Sequence, residues 1–152
     1  MQVRSLTVAL LLVVAVACSG RRDVPRIAPL EPRAAIHGFM SALTENDIER
    51  MGLLWGSRRG PAASYMDTQS MHQRLLVIRQ YLQHDSYEIR PSRDTFPLDE
   101  RHQAFDVHIE RGGCTADVPF TLVHTDDGWL IEAIDLGTVG NPTRRCRERS
   151  GN

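Results

Sequence analysis

The stretch from Phe105 to Leu136, FDVHIERGGCTADVPFTLVHTDDGWLIEAIDL, constrains the fold more than any other part of the chain. Three apolar runs, Phe105–Glu110, Asp117–His124 and Trp129–Leu136, are divided by Arg111-Gly112-Gly113 and by Thr125-Asp126-Asp127-Gly128. Glycine takes positive φ without a steric penalty, and short glycine-bearing loops between such runs reverse antiparallel strands. The expectation is a three-stranded meander. In its first strand Phe105, Val107 and Ile109 share one face, with Asp106, His108 and Glu110 opposite. In the second, Val118, Phe120 and Leu122 alternate with Asp117, Pro119 and Thr121. The third is apolar on both faces, which predicts a more central position.

A sheet with one apolar face needs a cover, and the upstream chain supplies helices for it. Ile36, Phe39, Met40 and Leu43 recur at i, i+3, i+4 and i+7, with Pro32 just ahead of the helix start. Thr44-Glu45-Asn46-Asp47 breaks that pattern, and Thr44 with Asp47 resembles a cap before Ile48, Met51, Leu54 and Trp55. Gly56 to Pro61 ends the second helix in a loop. A third helix is predicted from about Thr68 to His84, striped by Met71, Leu75, Ile78 and Leu82. It reads as the longest helix, lying along the sheet. Ser86–Arg93 is a strand candidate in which Tyr87 and Ile89 alternate and Pro91 marks an edge or an end. Asp94–Gln103 reads as a loop. The predicted class is α+β, three N-terminal helices on a curved antiparallel sheet of about four strands.

The first eighteen residues, MQVRSLTVALLLVVAVAC, carry a different signal. A lone Arg4 precedes an apolar run from Leu6 to Ala17, which is short of the ~20 residues that span a bilayer but fits a signal-peptide core. The run ends in Ala15-Val16-Ala17-Cys18, followed by Ser19-Gly20. This segment resembles a bacterial lipoprotein signal peptide with its lipobox. The resemblance implies cleavage before Cys18, diacylation of its thiol and acylation of the new amino terminus by fatty acids such as palmitate. Ala15 stands where that family prefers leucine, and the alternative is ordinary secretion. Several acyl chains hold firmly where one holds marginally, at about 0.8 kcal/mol per buried methylene. The expected organisation is a signal peptide over 1–17, a lipidated cysteine and Pro-rich tether over 18–33, a domain over 34–138 and a polar tail over 139–152. Pro25, Pro29 and Pro32 favour extended backbone in the tether. The expected location is the bacterial cell envelope, the domain facing the periplasm or the outside. Serine rather than aspartate after the cysteine leans toward the outer membrane.

Beyond the signal the chain is one domain by the usual size of ~100–200 residues. Its formal charge of −1 leaves no electrostatic footprint for nucleic acid. All its basic residues are arginine, interleaved with acids rather than gathered in a patch. With Cys18 lipidated, Cys114 and Cys146 remain, and exported proteins with two cysteines usually pair them. A bridge would pin the arginine-rich tail to the meander. Closing a loop of about thirty residues is worth roughly 3–4 kcal/mol in the chain-entropy description. Free thiols are the alternative; the Cys-x-x-Cys spacing of redox pairs is absent.

The run Ala35-Ile36-His37-Gly38-Phe39-Met40-Ser41-Ala42-Leu43, then Asn46–Met51, Leu54-Trp55-Gly56 and Asp127-Gly128-Trp129-Leu130-Ile131 resemble the nuclear transport factor 2-like superfamily. That cone-shaped fold is shared with ketosteroid isomerases. The resemblance covers most of residues 33–136. Its isomerases place an aspartate base just after the second helix, with a tyrosine or protonated acid to hold an enolate. The matching stretch here, Trp55-Gly56-Ser57-Arg58-Arg59-Gly60, has no carboxylate. Tyr65 and Asp67 follow it.

Candidate ligand-binding residues are Arg58 and Arg59, which could receive an anion at the cone's mouth, with Trp55, Tyr65 and Trp129 as pocket lining. Solvated arginines and packed tryptophans are the plainer reading. Asp106 and His108 share a strand face and could form one corner of a metal site, but no third ligand is spaced to join them. His124 is expected to be partly buried, His37 and His72 interfacial, His84 and His102 on the surface. No Ser-His-Asp order, phosphate loop or HExxH motif occurs.

These residues point to a non-enzymatic ligand-binding or protein-interaction module on a membrane anchor, without a cofactor or a metal. Its expected partners are the membrane through the lipid, a second copy as homodimer, an envelope protein, or a small apolar or anionic ligand. The alternative is an isomerase- or hydrolase-like enzyme acting on a small apolar substrate, with Asp106, His108 or Asp135 as the groups to test. A purely structural envelope role is the third reading.

Overall fold

The computed structural model describes residues 28–93 and 99–141. Cys18, Cys146, the signal segment and the first part of the tether lie outside the described residues, as do Phe96 and Leu98. Helix α1 (Pro32–Glu45) starts with proline in its first turn, where the missing N–H has no intrahelical role. It ends at Asn46, which takes the left-handed conformation and returns its N–H to the carbonyls of Ala42 and Leu43. Asp47 caps α2 (Ile48–Leu54), accepting the Arg50 N–H at 3.0 Å, as the sequence predicts.

Two small elements were not foreseen. A two-residue ribbon, β1 (Gly56–Ser57) with β2 (Gly60–Pro61), folds the loop after α2 back on itself. A Cβ on Gly56 would lie 2.3 Å from the Gly60 carbonyl oxygen, so the close approach requires glycine there. One turn of helix, α3 (Ala62–Tyr65), follows. Four residues are too short to show a period, so neither element is visible in an apolar pattern.

Helix α4 (Thr68–Tyr81) is capped by Asp67, which accepts the Ser70 N–H at 2.9 Å. It has fourteen residues, as α1 has, and so is not the longest helix. It packs against α2, touches α3 and the 3-10 turn Leu136–Val139, and shares a core cluster with the sheet through Met71, Leu75 and Ile78. Gly52 of α2 makes the approach possible, since a Cβ there would sit 2.7 Å from Met71 Sδ.

The sheet is antiparallel, in the order β3 (Ser86–Pro91), β4 (His102–Arg111), β5 (Cys114–Thr125), β6 (Gly128–Ile134). The architecture is therefore α+β, with helices on one face of a four-stranded meander. Ile89, Val107 and Val118 stand in register on the helix side, as do Phe105 and Phe120. Against them pack Ile36, Phe39, Met40, Leu43, Met51, Leu75 and Leu82. Phe39, Met40, Phe120, Leu122 and Ile131 are fully buried, so apolar side chains fill the wedge between helices and sheet.

The third meander strand is not central: β6 is an edge. Its two-sided apolar character has another cause. On the helix side Trp129 and Ile131 join the main core. On the outer side Leu130 and Val123 form a small cluster with Ala28. The Trp129 N–H donates to the Pro29 carbonyl at 2.8 Å, and Ile131 bridges to Trp55 in parallel. The chain before α1 thus straps the open margin of β6 and buries what an edge normally exposes. Gly128 sits at φ +135°, and a Cβ there would lie 2.5 Å from the Ala28 carbonyl oxygen. Among the described residues no helix is long and apolar enough to cross a membrane.

Candidate functional site

The predicted site residues do not converge on one pocket. Arg58 and Arg59 form the tip of the β1–β2 ribbon, and both are exposed. Arg58 is paired with Asp99, and Arg59 lies over the Tyr65 ring with its Cζ 4.5 Å from the centroid. Tyr65 in turn donates its hydroxyl to Ser57 Oγ at 3.2 Å. Trp55 ends α2 and is half-buried. Trp129, on β6, is 8% exposed, with the His124 ring 4.9 Å away. Arg58, Arg59 and Tyr65 therefore belong together, Trp55 leads into the ribbon that carries them, and Trp129 is a core residue. His124 is exposed, so it is the lid on Trp129 rather than a partly buried group.

The sheet face away from the helices carries a charged network. His108 Nδ1 lies 2.7 Å from Asp117 Oδ1 on the neighbouring strand. Arg90 reaches Glu88 at 2.6 Å and Asp117 at 3.5 Å, and Arg93 reaches Asp117 at 3.6 Å. The hydrogen bond from His108, with Arg93 and Arg90 adding attraction, holds the Asp117 carboxyl below the ordinary value of 3.8. Asp106, 7% exposed, accepts the Arg93 N–H at 3.1 Å. So Asp106 and His108 share a face as predicted, but each is engaged with a different partner. No group of ligands fit for a metal ion forms among the described residues.

His102 is the residue that sequence reasoning misplaced. Its side chain is 14% exposed, and both ring nitrogens face carboxylates. Nδ1 lies 2.5 Å from Asp99 Oδ1, and Nε2 lies 2.9 Å from Glu132 Oε2. Glu132 is delivered there by a bulge: the ladder passes from Leu122–Ile131 to Thr121–Ala133, leaving Glu132 as the extra residue. Asp99, held below its ordinary 3.8 chiefly by the His102 hydrogen bond, also takes Arg58. The chain Arg58–Asp99–His102–Glu132 thus ties the ribbon to β4 and β6. With a carboxylate at each ring nitrogen, His102 clamps these elements together. The sequence signal for it is faint, an Asp three residues before a His at a strand start.

The other histidines also differ from expectation. His84 is half-buried, its ring edge-on to Tyr87 at 5.0 Å. His37, exposed on α1, still reaches the Tyr87 hydroxyl with Nδ1 at 2.8 Å. Burial pushes the Tyr87 phenol up. His72 is exposed on α4. Asp135 accepts the Gly137 N–H at 3.0 Å and caps the 3-10 turn.

No family model matches the chain, and no curated protein matches it. Among solved structures it is similar to one named "Rd1NTF2_04 with long sheet", at 18% identity and a TM-score of 0.41, over 68% of this chain and 97% of the other. It is also similar to a phospholipid-binding protein from Ralstonia solanacearum, solved in complex with a phospholipid. There the identity is 8% and the TM-score 0.37, over 67% of this chain and 73% of the other. At those scores neither likeness carries an argument about function.

Proposed function

We propose that this chain is a membrane-anchored envelope lipoprotein whose α+β domain is a non-enzymatic binding or interaction module. One observation carries the non-enzymatic part. The wedge between helices and sheet, where an enzyme of this shape would keep its acid and base, is filled by Phe39, Met40, Phe120 and their neighbours. Among the described residues the single buried charged side chain is Asp106, and it lies on the opposite face of the sheet. A catalytic reading needs a carboxylate or histidine inside the wedge with room beside it. The anchor part rests on the resemblance of residues 1–20 to a lipoprotein signal.

The proposal includes a Cys114–Cys146 bridge. Cys114 opens β5, beside the Gly112-Gly113 turn. The Asp135 N–H donates to Pro119, so the chain leaves the sheet level with that residue. From there to Cys114 is roughly 17 Å along β5. The eleven residues from Asp135 to Cys146 are ample for that distance.

Mass spectrometry of the chain isolated from an envelope fraction tests the anchor, the bridge and the filled wedge. The expected species begins at Cys18, carries acyl chains, and is two mass units lighter than its reduced form. Cys18→Ala should abolish acylation. An unmodified chain beginning elsewhere would overturn the anchor, and a spectrum unchanged by reductant would overturn the bridge. A small molecule retained through buffer exchange would point to an internal pocket and away from a filled wedge.

A further inference from the structure

Helix α4 buries a narrow stripe, Met71, Leu75 and Ile78, half-buries Arg79 and Tyr81, and leaves the rest of its surface in solvent. Two apolar residues stand out on that surface. Leu76 is 43% and Val77 51% exposed. Beside Val77 runs an open apolar groove of about 410 Å³, lined by Trp55, Gln73, Arg74, Val77 and Ile78. The helix has no acidic residue; of its two arginines Arg74 lines the groove, while Arg79 donates Nε to the Leu43 carbonyl at 3.1 Å. A surface helix with exposed apolar residues, a free-standing cation and no acid has features of one that lies in a bilayer interface. Tryptophan at the groove's wall suits the same boundary, since its ring is apolar and its N–H polar. Long arginine side chains can lay their stems along the apolar zone and keep their charge among headgroups.

The position of the chain's N-terminal side adds an independent argument. Trp55 bridges to Ile131, and Trp129, two residues earlier on β6, holds Pro29. Those two points are about 7 Å apart along the strand. The strap that leads back toward Cys18 therefore enters the fold beside the groove. From Cys18 to Ala28 is ten residues, which reach at most about 36 Å. A lipid on Cys18 would therefore let this flank of the domain reach the bilayer. On the Leu76 side, Asp47 and Glu49 of α2 line a neighbouring depression, so the Arg74 side is the one that meets anionic headgroups.

We propose that the outer face of α4, from Trp55 across Arg74 to Val77, docks onto an anionic lipid surface. This rests on the reading of the chain as a lipoprotein and goes beyond it, assigning the bilayer as the partner of one particular face.

The test uses the full chain as isolated from the envelope, reconstituted into vesicles of phosphatidylglycerol and phosphatidylcholine with brominated acyl chains. Bromine quenches tryptophan at contact range. Of the two tryptophans only Trp55 lines the groove, so emission should fall by up to about half. It should fall less in vesicles of phosphatidylcholine alone. The double variant Leu76→Glu, Val77→Glu changes exposed positions only and should lose the quenching while still floating with the vesicles. Flotation reads the anchor and quenching reads the face. A wild-type chain that floats without quenching overturns the docking and leaves the anchor standing. If the chain carries no acyl group, adding the same anionic vesicles still decides: quenching at sub-millimolar lipid supports the face, and none overturns it. A second copy is the competing occupant. Sedimentation showing a wild-type dimer that the double variant dissolves, with quenching unchanged, would overturn the proposal in its favour.

Discussion

Gly128 shows how one missing Cβ secures a large feature. Its φ of +135° is costly for any residue with a side chain, and the carbonyl oxygens of Ala28 and Pro29 occupy the space a Cβ would take, at 2.5 and 2.6 Å. Gly128→Ala should therefore cost about 2 kcal/mol or more, read as a lower urea midpoint at an unchanged slope. Asp117 makes a second case at this scale. Its carboxyl is held low in the folded protein, first by His108 and then by Arg93 and Arg90. A depressed acid stabilises the fold above its unfolded value of 3.8 and loses that contribution as pH falls through the folded value. Acid unfolding of Asp117→Asn, followed by circular dichroism below about pH 4, should show a shallower pH dependence than the parent chain. Single residues were legible where the chemistry is local: Asp47 was readable as a cap because its partner is three residues away. His102 was not, because Glu132 reaches it through a bulge some thirty residues later in the chain, and sequence spacing carries no trace of that.

Among the elements, α4 separates buried from exposed apolar residues most sharply. Leu75 is fully buried, and its immediate neighbour Leu76 is 43% exposed. Leu75→Ala should cost about 2–5 kcal/mol, the range for opening a cavity in a packed core. Leu76→Ala should change the unfolding free energy from urea titration by no more than about 0.5 kcal/mol, as surface changes do. A reversed order would mean that α4 packs through its other face. The helical stripe itself was legible, since a 3.6-residue period survives in fourteen residues. Which neighbour it meets was not, because Gly52, the residue that lets α2 come close, leaves no mark in an apolar pattern. The ribbon β1–β2 and the single turn α3 were invisible for a simpler reason: two and four residues contain less than one informative period.

For the whole molecule, the meander and its helical cover followed from the sequence, but the place of β6 did not. Apolar residues on both faces predict an interior strand. They mark an edge strand instead, wrapped by residues from the far end of the chain. Periodicity reports how many faces of a strand are dry and is silent about what keeps them dry. The candidate site was less legible than the fold. Arg59 does stack on Tyr65, but Tyr65 is held by Ser57 and Arg58 turns to Asp99, partners that no spacing rule assigns to them.

The strap over β6 also fixes how the molecule carries load. Among the described residues, a pull on the chain from its N-terminal side meets Ala28 and Pro29 first. There the Trp129–Pro29 backbone hydrogen bond and the small cluster of Ala28, Val123 and Leu130 resist it. Such a pull loads that contact before it strains the β4–β5–β6 ladder. The strap is thus the first described contact to meet tension that arrives from the N-terminal side, ahead of the sheet's own ladders.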